Sequence, residues 1–171
     1  MGNRRVLLAA IAGAALVAAC SSSQSPAAPT VTAVDAGRGS CPLYKVPAST
    51  DTTSPASLKT DVMPILTQSC VLTKACHAGG GDRAFLSGDS PAVHAALVGV
   101  ASVQLSTMPY VTPGDATKSY LMHKMDGDQC AFDPSCLGGF CQSSMPSSAP
   151  QLDVQQRDIV RRWISQGAKD N

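Results

Sequence analysis

Six of the seven cysteines in this chain lie between positions 41 and 141, and no other feature constrains its folding as much. Their chemistry depends on compartment. Arg4 and Arg5 precede an uncharged apolar run over residues 6–19, the pattern of a secretory signal and shorter than a bilayer span requires. In an oxidising compartment an even number of cysteines is expected to pair, and six allow fifteen connectivities.

The apolar run ends Leu16-Val17-Ala18-Ala19-Cys20, followed by three serines. This resembles a bacterial lipoprotein signal, which implies cleavage after residue 19 and acylation of Cys20. An ordinary signal cleaved near Ala19 would instead leave a free thiol. Each buried acyl CH₂ contributes about 0.8 kcal/mol, so several chains anchor stably without spanning. Residues 20–40, small, polar and proline-containing, read as a lipidated flexible tether. The folded domain is expected over residues 41–171, in the length range of a single domain. The expected location is therefore the bacterial cell envelope, exported and lipid-anchored, at the outer membrane or the periplasmic face.

The 13 basic residues less Arg4 and Arg5 leave 11 against 12 acidic residues, all of them Asp. No basic patch suited to nucleic acid is present, and Arg161-Arg162 reads as the solvated face of a helix. Aromatic content is 4%, while Gly and Pro number 14 and 12. A core so poor in rings and rich in turns needs disulfides or a large buried cofactor to reinforce it.

Helical periodicity organises the domain. Leu58, Val62, Ile65, Leu66 and Cys70 recur at helical spacing, with Asp61 as the expected cap and Pro64 in the first turn. The glycine run over residues 79–81 permits a tight turn. Ser90-Pro91 predicts the cap and first residue of a second helix that stops at Gly99. Asp115 is expected to cap a third helix over ATKSYLMHKM, with Tyr120, Leu121 and Met125 on one side. Residues 126–150 read as a long irregular segment fixed by disulfides among Cys130, Cys136 and Cys141. Asp153 and Gln156 form a capping box for a last helix with Ile159, Val160, Trp163 and Ile164 on one face, and Gly167 at its end. No strand alternation is evident.

The chemistry concentrates at SCVLTKACH, residues 69–77, where Cys70 and Cys76 precede His77. A cysteine followed by histidine ends covalent haem sites, which ordinarily place two residues between the cysteines. Five stand here. A Cys70–Cys76 disulfide beside a surface histidine is the alternative, and a zinc site on Cys70, Cys76 and His77 would compete with oxidation of those thiols.

The order of DVMPIL, Cys76-His77, VTPGDATKSYLMHKMDG, Met145-Pro146 and IVRRWISQGA resembles the class I cytochrome c fold, as found in bacterial lipoproteins, over about residues 58–169. The resemblance implies a mostly α, small helical domain with long irregular loops and disulfides. It implies haem c, with thioethers at Cys70 and Cys76 and iron ligation by His77 and Met145. It further implies single-electron transfer with redox proteins of the cell envelope rather than enzymatic turnover. Loop lengthening between the cysteines costs little entropy.

Met108-Pro109 is a second candidate for the distal ligand. Met122 and Met125 read as core, and Trp163 likewise. His94 and His123 fall on helices, where bis-His ligation would need one of them. If Cys70 and Cys76 carry haem, four cysteines remain for two disulfides; otherwise a haem-free module with three disulfides and a structural or binding role results. No hydrolase or nucleophile motif is present.

Overall fold

The computed structural model describes residues 41–79, 83–147 and 149–171. The leader over residues 1–19, Cys20 with the tether over residues 20–40, and Gly80 and Gly81 of the expected turn lie outside the described residues. Within them the chain is mostly helical and has no strand, only isolated bridges pairing Val98 with Val111 and Ala101 with Pro109.

A π-helical turn, Leu58–Val62, runs directly into α1, Met63–Cys70. It starts one turn earlier than expected, because Ser57 is the cap. Ser57 Oγ accepts the Thr60 N–H, and Asp61 reaches back to accept the Ser57 N–H at 2.7 Å. Asp61 is thus the reciprocal half of the cap rather than the cap itself. The backbone carbonyl of Asn171 accepts the Lys59 N–H at 3.0 Å and its side-chain oxygen accepts the Leu58 N–H at 3.1 Å, so the end of the chain satisfies two further donors of this first turn.

Helix α2, Ser90–Leu97, is capped by Asp89, whose carboxylate accepts the Ala92 N–H at 3.1 Å. Ser90, the expected cap, is helical and buried, with its hydroxyl on the Asp170 carboxylate. Asp115 does cap its segment, accepting from the Thr117 and Lys118 N–H groups, but only a 3₁₀ turn, Ala116–Lys118, follows. Ser119 then takes an extended conformation, its hydroxyl donating to the Asp115 carbonyl and accepting the Thr112 N–H at 2.9 Å. That competition by a serine hydroxyl breaks the expected continuous helix. Helix α3 is Tyr120–Asp126, closed by left-handed Gly127 (φ 79°).

The expected irregular segment holds two 3₁₀ turns, Gln129–Ser135 and Leu137–Gly139, pinned by disulfides Cys41–Cys130 and Cys136–Cys141. Helix α4, Val154–Ser165, starts as expected, with Asp153 accepting the Gln156 N–H at 2.7 Å. Leu58, Leu66, Leu97, Met122, Trp163 and Ile164 are each at most 1% exposed and meet in one core. Each such side chain contributes roughly 1.5–3 kcal/mol by burial. Trp163 also donates its indole N–H to the Lys169 carbonyl at 2.8 Å.

The arginines of α4 do not form the expected solvated face. Arg157 and Arg161 are buried, and both bond the Asp126 carboxylate, Arg161 through two contacts of 2.9 Å and Arg157 through one of 2.8 Å. The Tyr44 ring covers them from outside, 4.6 Å from Arg157 and 5.2 Å from Arg161. Only Arg162 keeps a surface pairing, with Asp51. A buried carboxylate needs compensating charge, and the planar guanidinium supplies it together with a face for the ring.

Candidate functional site

Helix α1 delivers Cys70 to the core, and the chain turns back so that the His77 N–H donates to the Cys70 carbonyl at 3.2 Å. The structure therefore brings the backbones of Cys70 and His77 together. Residues 83–86 lie against the histidine: its Nδ1 sits 2.8 Å from the Ala84 carbonyl, and its own carbonyl accepts the Leu86 N–H at 3.0 Å. A carbonyl only accepts, so Nδ1 carries the proton and the neutral ring presents its lone pair at Nε2. Burial holds the imidazole below its ordinary pKa, and the positive charges of Arg83 and Lys124 act in the same direction against the pull of the Ala84 bond.

Cys70 is a free, buried thiol, and burial pushes it up to about 11. It takes part in no disulfide, which removes both the Cys70–Cys76 bridge and a three-disulfide arrangement that includes Cys70. The Cys76 sulfur receives the Thr73 hydroxyl at 3.4 Å. Among the described residues no three His, Cys, Asp or Glu side chains cluster as a metal site would need, so the zinc arrangement finds no support.

Met145 is half-buried in the segment before α4, and its N–H donates to the Lys124 carbonyl at 2.8 Å. Lys124 is the residue that sequence reasoning missed. Its ammonium is buried and donates to the carbonyls of Cys141, at 2.9 Å, and Ser143. Burial pushes this amine down to about 8, partly offset by the Asp133 carboxylate. One residue thus secures the methionine segment from both its ends and also bears electrostatically on His77.

The other candidates have different occupations. Met108 packs against the cluster of Leu105, Tyr120 and the Cys136–Cys141 pair. Met122 and Met125 are core, as expected. His94 Nε2 bonds the Ala168 carbonyl at 2.9 Å. His123 has both ring nitrogens engaged, Nδ1 by Asp128 at 2.8 Å and Nε2 by the Thr117 carbonyl at 3.0 Å, leaving no lone pair for a metal. A cleft of ≈ 590 Å³ is lined by Lys59, Met63, Asp89, Pro91 and Asp170, and touches neither His77 nor Met145.

Haem c asks for a neutral imidazole with a free nitrogen and for thiols. His77 meets the first requirement by its hydrogen bonding, and Cys70 meets the second as a free thiol. No helix among the described residues is long and apolar enough to cross a membrane. Compared with protein-family models, curated proteins and solved structures, the chain matches none.

Proposed function

We propose that this chain is an envelope-anchored, c-type cytochrome-like lipoprotein that binds haem c and passes single electrons to and from redox proteins of the cell envelope. The observation that carries the reading is the Nδ1–Ala84 hydrogen bond, which orients His77 and keeps Nε2 unprotonated for iron. In such a site His77 and Met145 are the iron ligands, and Cys70 and Cys76 are the thioether attachments. When bound, the haem supplies an iron that alternates between Fe(II) and Fe(III). A soft methionine sulfur and the nearby charges of Arg83 and Lys124 both favour the reduced state. Lys124 keeps the Met145 segment in place while this happens. The lipid anchor at Cys20 confines the domain to the membrane surface.

The test is an absorption spectrum of the full chain, oxidised and reduced, matured in a host with haem-attachment machinery, followed by haem staining of a denaturing gel. Sharp reduced α and β bands with haem retained through the gel are expected, and His77→Ala removes them. A colourless protein from a host that matures a control cytochrome overturns the reading.

A second reading has its own support in Cys70, a thiol that is free and buried in the core. In it the domain is a haem-free, disulfide-stabilised lipoprotein module with a structural or binding role. Mass spectrometry of the colourless protein would then find Cys70 without haem and alkylated only after unfolding.

A further inference from the structure

Residues 95–114 and 134–152 contain no Asp, Glu, Lys or Arg, although the chain is 15% charged. The fold brings these two uncharged stretches together through one glutamine. Gln104 accepts the Leu137 N–H at 2.8 Å on its backbone carbonyl, and its side-chain amide donates to the carbonyls of Leu137 at 2.9 Å and Phe140 at 2.7 Å. At this junction Leu137 is 68% exposed, with Phe140 and Val103 each 48% exposed.

The loop that displays them is built to hold its shape. The Cys136–Cys141 disulfide closes it, and Gly138 and Gly139 turn it with φ of 75° and 72°. Beneath it, Asp133 accepts the Cys141 N–H at 2.8 Å, and the Tyr120 hydroxyl donates to the Cys141 carbonyl at 3.1 Å. An apolar tip held open in this way, with the adjoining charges of Asp133 and Lys124 buried beneath it, fits a surface that is itself apolar.

The chain outside the described residues says which surface. Cys41, the first described residue, is bonded to Cys130 in the turn Gln129–Ser135, which leads directly into the Cys136–Cys141 loop. Cys20 stands 21 positions earlier in the sequence, so the acylated residue is at most about 75 Å from Cys41. We infer that Leu137, Phe140 and Val103 form a docking tip that enters the bilayer surface holding the Cys20 lipid. The inference rests on the lipid-anchored part of the proposed function and is independent of haem. Leucine and phenylalanine leave water for the boundary between headgroups and acyl chains, and the adjoining charges of Asp133 and Lys124 are already buried. The anchor makes the second contact intramolecular, so a tip too small to hold a free protein at a membrane suffices.

The experiment uses the full-length, lipidated chain carrying Phe140→Trp, in vesicles of phosphatidylcholine and phosphatidylglycerol with and without brominated acyl chains. Flotation is measured alongside fluorescence. The wild type, whose single Trp163 is buried, supplies the background. Flotation of both proteins is expected, with emission quenched by brominated lipid at least twofold more in the variant than in the wild type. Adding Leu137→Asp should abolish that quenching without abolishing flotation. Flotation with no extra quenching leaves the anchor standing and overturns the docking tip. Failure to float overturns the anchor and the tip together. Emission that shifts to the blue with rising protein concentration, with no bromine quenching, assigns the tip to a second copy of the chain and also overturns the inference.

Discussion

Lys124 holds Met145 by its backbone, accepting the Met145 N–H on its carbonyl at 2.8 Å, while its ammonium binds the carbonyls of Cys141 and Ser143 in the same segment. Lys124→Met keeps the bulk and removes the donors. Hydrogen bonds to a charged group are worth about 1.5–3 kcal/mol, so amide exchange over residues 141–145 should accelerate roughly tenfold or more, measured by mass spectrometry. The amine titrates at about 8 in the fold against an ordinary 10.5. The unfolded chain therefore binds more protons between those values, and stability should rise across that window in the wild type but not in Lys124→Met. Urea midpoints at pH 8 and pH 10 check it.

His123 behaves with the opposite sign. Facing the Asp128 carboxylate and the Thr117 carbonyl, with Asp126 nearby and the Phe132 ring 4.6 Å away, it is a buried imidazolium. Burial opposes its charge, but the Asp128 partnership outweighs this and raises its pKa. The stabilisation is complete below about 6.5 and is lost as pH rises through the raised folded value. Chemical unfolding between pH 6 and pH 8 should show declining stability, and His123→Phe should flatten the decline.

Asp126 neutralises two buried arginines at once. Asp126→Ala leaves Arg157 and Arg161 with only the Tyr44 ring and Asp158 as partners. Stranding buried charge costs about 3–5 kcal/mol, and a fall of that size in denaturant-unfolding free energy is expected. Asp158→Ala, which removes a weaker 3.4 Å contact, should cost far less.

Helix α4 shows what could be read in advance. Asp153, Gln156 and the Ile-Val-Trp-Ile face are local signals, and local signals set that helix in the fold. The same periodicity misassigned Arg161, because its cover comes from Tyr44 and Asp126, distant along the chain and invisible to a 3.6-residue repeat. The helical run from Leu58 to Cys70 was legible because its apolar repeat is local. Lys124 was not, since a helical lysine ordinarily reaches water, and its partners here are backbone carbonyls that carry no residue signature. Likewise Ser119 broke a helix through its contact with Thr112, seven residues back.

The disulfides Cys41–Cys130 and Cys136–Cys141 should differ in worth. Cys41–Cys130 closes a span of 89 residues and Cys136–Cys141 one of 5. Chain-entropy reasoning gives about 4–5 kcal/mol for the first and about 2 for the second. Cys41→Ser with Cys130→Ser should therefore lower the thermal midpoint more than Cys136→Ser with Cys141→Ser, read by calorimetry.

The Cys41–Cys130 bond also has a mechanical meaning. A pull transmitted from residue 40 toward the C-terminus passes through sulfur from position 41 to position 130, and the intervening loop lies outside the line of force. Under tension only residues beyond Cys130 can extend while the bond is intact. His77, Arg83 and Lys124 all lie within the shielded loop, so an oxidised protein tugged at residue 40 would keep that stretch of chain slack, and chemical reduction would lengthen the extensible path.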